Sequence, residues 1–258
     1  MKKIVNLASN LLFPPHCANC GELLDAPLLE KVHEPLCPAC RIHYEKEKAR
    51  ECARCGLPMK FCACMPKNME RAQCTALLKL ISYRAYDSEM PIKSFVYSIK
   101  HSNYGVTFDF LAQQMREILI AEMRAKELMP NDCVITFLPR SRRNKAEDGF
   151  DQGLALARAL SRATGIELVN CFKRNLFTNE QKKLNQYERR LNMSSAYTPR
   201  DVDEKLNDKT VILVDDIVTT GASMASCARI AYSMGAYAVM GVCVGYTEKE
   251  KNKNKSKK

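Results

Sequence analysis

One unbroken run constrains this chain most: Val211-Ile212-Leu213-Val214-Asp215-Asp216-Ile217-Val218-Thr219-Thr220-Gly221-Ala222-Ser223. Its apolar start is short and β-branched, as a buried parallel strand should be. Asp215 and Asp216 fall at the C-terminal end of that strand, where open α/β sheets bind ligands. A pair of acceptors there suits two neighbouring hydroxyls, such as those of a ribose. Thr219, Thr220, Gly221, Ala222 and Ser223 form a loop of small residues whose N–H groups can close around a phosphate. The following MASCARIAYSMG reads as a helix with its positive end toward that phosphate. The competing reading is a buried strand with a polar loop and no ligand. It is the weaker one, because adjacent carboxylates at a strand end are unfavourable without a partner.

The chain has 258 residues, room for one large domain or two smaller ones, and a net charge of +11. The last stretch, EKEKNKNKSKK, holds six Lys against two Glu and reads as a disordered basic tail. Further basic residues gather at Arg140, Arg142, Arg143 and Lys145, and at Lys173, Arg174, Lys182, Lys183, Arg189 and Arg190. Such clusters favour phosphates, whether on a small ligand or on nucleic acid. No stretch is long and apolar enough to span a membrane. Asn6, Ser9 and Asn10 interrupt the apolar N-terminus, which reads as a short amphipathic helix stopped by Pro14 and Pro15 rather than a signal peptide. A cytoplasmic location is expected.

Eight of the thirteen Cys come in pairs before residue 65: Cys17/Cys20, Cys37/Cys40, Cys52/Cys55 and Cys62/Cys64. Paired thiolates on a tight turn point at one centre, and two pairs complete a tetrahedron around Zn²⁺. Gly21 and Gly56 follow the second Cys of their pairs, where a knuckle turn favours Gly. Ligation would also explain how so short a segment folds. Sequential sites (Cys17/Cys20/Cys37/Cys40 and Cys52/Cys55/Cys62/Cys64) need shorter loop closures than a cross-braced arrangement, which would interleave the pairs. His16, His33 and His43 lie nearby and are read as bystanders. An all-thiolate set leaves no open position, so the zinc is structural. Cys74, Cys133, Cys171, Cys227 and Cys243 read as ordinary buried thiols.

Residues 65–75 are polar, contain a Pro and serve as a junction. ALLKLISYRAY reads as a strand pair or edge strand, PIKSFVYSIKH as a short helix, and FDFLAQQMREILIAEMRAKELM as a long one. DCVITFLP is a buried strand, GLALARALSRATG a helix closed by Gly165, and IELVNCFKR another strand. Residues 175–199 read as a long loop or short helix, and AYAVMGVCVGYT as a last strand. The alternation implies an α/β, doubly wound, mostly parallel sheet. The expected divisions are a zinc-binding module over residues 1–70, a sheet domain over 71–247 and a tail over 248–258.

The run from Val211 to Ser223 resembles the phosphoribosyl pyrophosphate (PRPP) motif of type I phosphoribosyltransferases. Three further segments narrow the resemblance: Pro139-Arg140-Ser141-Arg142-Arg143 leading to Gly149-Phe150-Asp151-Gln152; Lys173-Arg174 followed by Thr178, Gln181, Leu184, Glu188-Arg189-Arg190 and Asn192; and Tyr97-Ser98-Ile99-Lys100-His101. With the Cys-rich front, this order is similar to the ComF family of competence proteins, also called GntX-like. The family usually has Arg-Gly-Phe-Asn-Gln where this chain has Asp148-Gly149-Phe150-Asp151-Gln152.

The resemblance implies a type I phosphoribosyltransferase fold and roles for particular residues. Asp215 and Asp216 would take the ribose hydroxyls, with Mg²⁺ bridging them to pyrophosphate. Thr219, Thr220, Gly221, Ala222 and Ser223 would take the 5′-phosphate. Arg140 and the loop from Pro139 would meet the pyrophosphate. The segment 175–195 would be a lid, with Arg189 and Arg190 as phosphate clamps. It also implies a competence factor that handles single-stranded DNA alongside other competence proteins. The alternatives are a small-molecule phosphoribosyltransferase of nucleotide salvage and a non-catalytic PRPP sensor. No glutamine-amidotransferase nucleophile arrangement is visible, so nothing delivers ammonia.

Overall fold

Apolar β-branched runs separated by amphipathic stretches give the alternation a parallel sheet requires. The structure, a computed structural model, describes residues 11–12, 14–25, 32–84, 87–101, 105–140, 149–175, 196–202 and 204–247. In chain order these form helix α1 (Pro38–Ala49), a short helix α2 (Lys67–Arg71), strand β1 (Ala76–Ser82), α3 (Lys93–His101), α4 (Gly105–Ala125), β2 (Cys133–Phe137), α5 (Gln152–Thr164), β3 (Glu167–Leu168), β4 (Phe172–Arg174), β5 (Tyr197–Pro199), β6 (Thr210–Val218), α6 (Ala222–Ser233) and β7 (Ala238–Tyr246).

The main sheet runs in the order β1-β7-β6-β2-β3, and its pairings are all parallel. β6 is central, so both its faces are covered. Ile212 and Val214 join a core with Met240, Val242 and residues of α4 and α5. Val211 and Leu213 join the opposite core with Val239, Cys243 and the α6 residues Met224 and Ala228. Helices on both faces are what a doubly wound sheet needs. The chain leaves β2 through α5 toward β3 on one side, and leaves β6 through α6 toward β7 on the other. The C-terminal ends of β2 and β6 therefore flank a topological switch point, where such sheets open a crevice for ligands.

The Cys-rich front is packed onto the sheet. Tyr44 of α1 meets Phe95 of α3 and Phe110 of α4 edge to face, at 5.7 and 5.4 Å between ring centroids. Glu47, also on α1 and nearly buried, accepts two hydrogen bonds from the guanidinium of Arg84, at 2.8 and 3.1 Å.

Two expectations are corrected. IELVNCFKR is two strands in different sheets, not one. Glu167–Leu168 pairs with β2; Val169 N still donates to Ile135 O, but Cys171 N donates to the side-chain Oγ1 of Thr136. A side chain thus takes the place of the next ladder carbonyl, and the chain leaves the sheet. Phe172–Arg174 then pairs antiparallel with Tyr197–Pro199. That partner is a strand at the end of the segment read as a loop or short helix. Three residues are too few to show a period, and they pair across a long separation. The N-terminal amphipathic helix (apart from residues 11 and 12), the lid with Arg189 and Arg190, Arg142, Arg143, Lys145, Asp148 and the basic tail lie outside the described residues. Among the described residues no helix is long and apolar enough to cross a membrane.

Candidate functional site

β6 carries Asp215 and Asp216 to the switch point. Consecutive strand residues face opposite sides of the sheet, and the two carboxylates have different neighbours accordingly. Asp216 is 6 % exposed and its Oδ2 accepts from Gln152 Nε2 at 3.3 Å. Tyr83 stands near it: burial, then the Asp216 charge, raise the Tyr83 phenol above its ordinary range. Asp215 faces the α6 side, where burial and then its charge raise the Cys227 thiol well above normal. Asp216 N donates to Asp215 Oδ1 at 3.0 Å, and Ile217 N to Asp216 Oδ1 at 2.7 Å. These local bonds hold both carboxylates against their own backbone.

The loop after β6 turns sharply into α6. Gly221 caps the helix in the left-handed region at φ +66°, a conformation that favours Gly. Gly221 offers the first-turn N–H groups no side-chain cap, and a helix start of this kind is one to which an anion can bind. Thr219 and Thr220 are exposed beside it. Sequence and structure thus bring Asp215, Asp216 and residues 219–223 to one end of one strand.

The β2 end supplies the other wall. Pro139 and Arg140 follow β2 after one further residue, the buried Leu138. Asp151 accepts from Leu154 N at 3.4 Å and caps α5, a task Asn and Asp perform about equally well. An Asp in place of the Asn usual in the family that the sequence resembles is therefore structurally mild here. Gln152, the next residue, is 6 % exposed and reaches Asp216, while its Oε1 has no hydrogen-bond partner among the described residues.

The β4–β5 ribbon flanks α6. Arg174 Nη1 donates to Tyr197 Oη at 3.2 Å, and its Cζ lies 5.5 Å from the Tyr197 ring centre. Burial pushes the Tyr197 phenol up to about 12, against the pull of Arg174 and a hydrogen bond with Ser223. Tyr197 therefore stays protonated and can donate at neutral pH.

The eight paired Cys assemble as two sequential groups, Cys17/Cys20/Cys37/Cys40 and Cys52/Cys55/Cys62/Cys64. Within each, the sulfur atoms lie within 4.8 Å of one another. A tetrahedron with Zn–S of about 2.3 Å has S···S edges of about 3.8 Å; Cys20 and Cys37, from different pairs, stand 3.7 Å apart. The donor set and spacing fit zinc. The two knuckles are built alike. Gly21 N donates to Cys17 O and Gly56 N to Cys52 O, both at 2.9 Å, with the glycines at φ +78° and +73°. No histidine joins either group among the described residues.

No protein-family model matches the chain. It is 23 % identical over 220 residues to the DNA utilization protein YhgH of Escherichia coli K12, covering 82 % of this chain and 90 % of that one. The O157:H7 form is 24 % identical over the same length. Among solved structures it is similar to the allosteric regulatory enzyme of purine biosynthesis, with 17 % identity and a TM-score of 0.36 over 57 % of this chain and 30 % of that one. It is also similar to an adenine phosphoribosyltransferase, with 19 % identity and a TM-score of 0.35 over 55 % and 71 %.

Sequence alone gives Gln152, Tyr197 and Asn68 no part in the site and places Arg174 only within a basic cluster that favours phosphates. Gln152 and Arg174 lie in the segments that carry the family resemblance, which was the available signal. Tyr197 sits in a strand too short to show a pattern. Asn68, whose Nδ2 donates to Thr220 O at 2.9 Å, lies in the stretch read as a junction, where nothing in the sequence points 152 residues ahead to the loop.

Proposed function

We propose that this chain is a ComF-like protein that binds PRPP with Mg²⁺ at the end of β6, carries structural zinc in both Cys groups, and serves in handling single-stranded DNA in the cytoplasm. The observation that carries the phosphate site is the meeting, at one switch point, of the Asp215–Asp216 pair and the Gly221-capped start of α6. The relative named for DNA utilization, aligned along nine-tenths of its own length, supports the DNA role, as do the basic clusters of the sequence.

In this reading Asp215 and Asp216 accept from the ribose hydroxyls. The N–H groups of residues 219–223 and the positive end of α6 hold the 5′-phosphate. Arg140 and the loop from Pro139 face the pyrophosphate, with Arg189 and Arg190 as clamps from the lid. Bound Mg²⁺, a hard cation that takes carboxylate and phosphate oxygens, would neutralise pyrophosphate as the bond to the anomeric carbon breaks. The protein's task is to hold both ends and steady the leaving group.

Calorimetric titration of PRPP and Mg²⁺ into the zinc-loaded protein tests the reading, beside an Asp215→Asn/Asp216→Asn variant. Binding that the variant loses is expected. A folded wild type that fails to bind removes the phosphoribosyl reading. Pyrophosphate release across a panel of nucleobases separates a salvage enzyme from a protein that only binds. Single-stranded DNA binding that falls steeply with salt is expected for the DNA role.

A further inference from the structure

The segment joining the second Cys group to the sheet reads as a junction in sequence, yet it lies against the phosphate loop. Pro66 and Met69 pack on Gly221 so closely that a Cβ there would come within 2.9 Å of Pro66 Cγ and 2.8 Å of Met69 Cγ. Asn68 Nδ2 donates to Thr220 O at 2.9 Å. Met69 is fully buried and also lies against Gly241 of β7. The segment is tied to the second Cys group at its start. Cys64 O accepts from Lys79 Nζ, itself fully buried on β1, and Met65 O accepts from Arg54 at 2.9 Å. The first Cys group is anchored elsewhere. Its Asn19 bonds Pro91 O and Phe95 N at 2.8 and 3.0 Å, and Cys17, Cys37 and Cys40 belong to the core on the face opposite Met69.

We infer that Pro66–Met69 is the positioning element of the phosphate loop, with Asn68 as its key positioning residue, and that it couples metal occupancy of the second Cys group to phosphate-ligand binding. The inference rests on the phosphate-site reading proposed above. Asn68 holds the Thr220 carbonyl by its hydrogen bond, and Pro66 and Met69 fix the Gly221 turn. The loop N–H groups then face the ligand before it arrives. Coupling of this kind is reciprocal: whatever metal contributes to ligand affinity, ligand contributes to metal retention.

The test uses the full-length, zinc-loaded protein and PRPP with Mg²⁺ as the probe. Dissociation constants are measured by calorimetry for wild type, Asn68→Ala, Asn68→Asp, Cys55→Ser and the matched control Asn19→Ala. Asn68→Asp keeps the size of the side chain but turns the donor into an acceptor. Both Asn68 variants are expected to weaken binding by roughly fivefold or more, the lower end of ordinary coupling, with melting temperature and zinc content unchanged. Cys55→Ser should weaken it similarly, and Asn19→Ala should leave it within about twofold. In wild type, PRPP should slow the zinc-release phase that Cys55→Ser lacks, read with a chromogenic chelator, and leave the other phase alone. Asn68 variants that bind like wild type, or equal protection of both release phases, would overturn the inference. Should Cys55→Ser not fold, the Asn68 variants and the wild-type release phases still decide. A wild type that binds no PRPP sinks the underlying site instead, a different result from tight binding that ignores Asn68.

Discussion

Gly221 concentrates the demands on the site in one residue. It must adopt φ +66° and tolerate Pro66 and Met69 at its α-carbon. An alanine there meets a backbone penalty of about 1 kcal/mol or more, and its methyl must displace two packed side chains. Gly221→Ala is expected to lower the melting temperature by several degrees and to abolish PRPP binding, checked by calorimetry on the same sample. Asp151 gives the contrast. As the cap of α5, it should accept Asn with little change in melting temperature, since the two cap about equally well. Tyr44 separates packing from hydrogen bonding. Its ring is fully buried between Phe95 and Phe110, and its hydroxyl has no partner among the described residues. Tyr44→Phe should be neutral or stabilising, whereas Tyr44→Ala should cost about 3–5 kcal/mol in urea unfolding.

At the scale of elements, α1 is held to the sheet by more than its aromatic ring. The Glu47 carboxylate is 8 % exposed and pairs with Arg84 just beyond β1. Its other cation, Arg50, is 4.0 Å away and half exposed. Arg84→Met leaves that carboxylate nearly buried with one distant partner. A loss of about 3–5 kcal/mol is expected for breaking a buried pair from one side, read as a fall in the urea midpoint. Replacing both Glu47 and Arg84 with apolar residues should recover much of it. Legibility in sequence followed length and period at this scale. The strands through Val214 and Val242 and the helix Gly105–Ala125 have long apolar patterns and stand where those patterns put them. The β4–β5 ribbon does not, because each strand has three residues and their pairing is non-local.

Across the whole molecule, the unpaired cysteines make stability depend on alkaline pH. Burial pushes the Cys74, Cys133 and Cys171 thiols up to about 11 from an ordinary 9.0, and burial with the Asp215 charge raises Cys227 well above that ordinary value too. These thiols stay protonated in the fold, while in the unfolded chain they ionise from about pH 9. The unfolded state then binds fewer protons, so stability is complete below about pH 9 and falls as pH rises toward 11. Denaturant unfolding at about pH 8 and pH 10.5 should show the loss, and a Cys74→Ala/Cys171→Ala variant should show less of it. The two Cys groups give the opposite limit. Ligation requires thiolates, so zinc retention should weaken on acidification.

The sequence by itself determined what depends on neighbours along the chain. The β6 strand, its carboxylates, the loop and the start of α6 are contiguous, so one stretch of covalent chain builds most of the candidate site. The Cys pairs are likewise local, and their sequential grouping follows from short loop closure. Only the tertiary structure decided which face each carboxylate meets, that Gln152 bonds Asp216 across 64 positions, and that Arg174 and Tyr197 stand beside Ser223. It also decided that Pro66, Asn68 and Met69, a polar junction in sequence, lie against Thr220 and Gly221 of the loop after β6. These contacts join segments far apart in the chain, and no local periodicity or spacing records them; they exist because the parallel sheet brings distant strand ends to one edge.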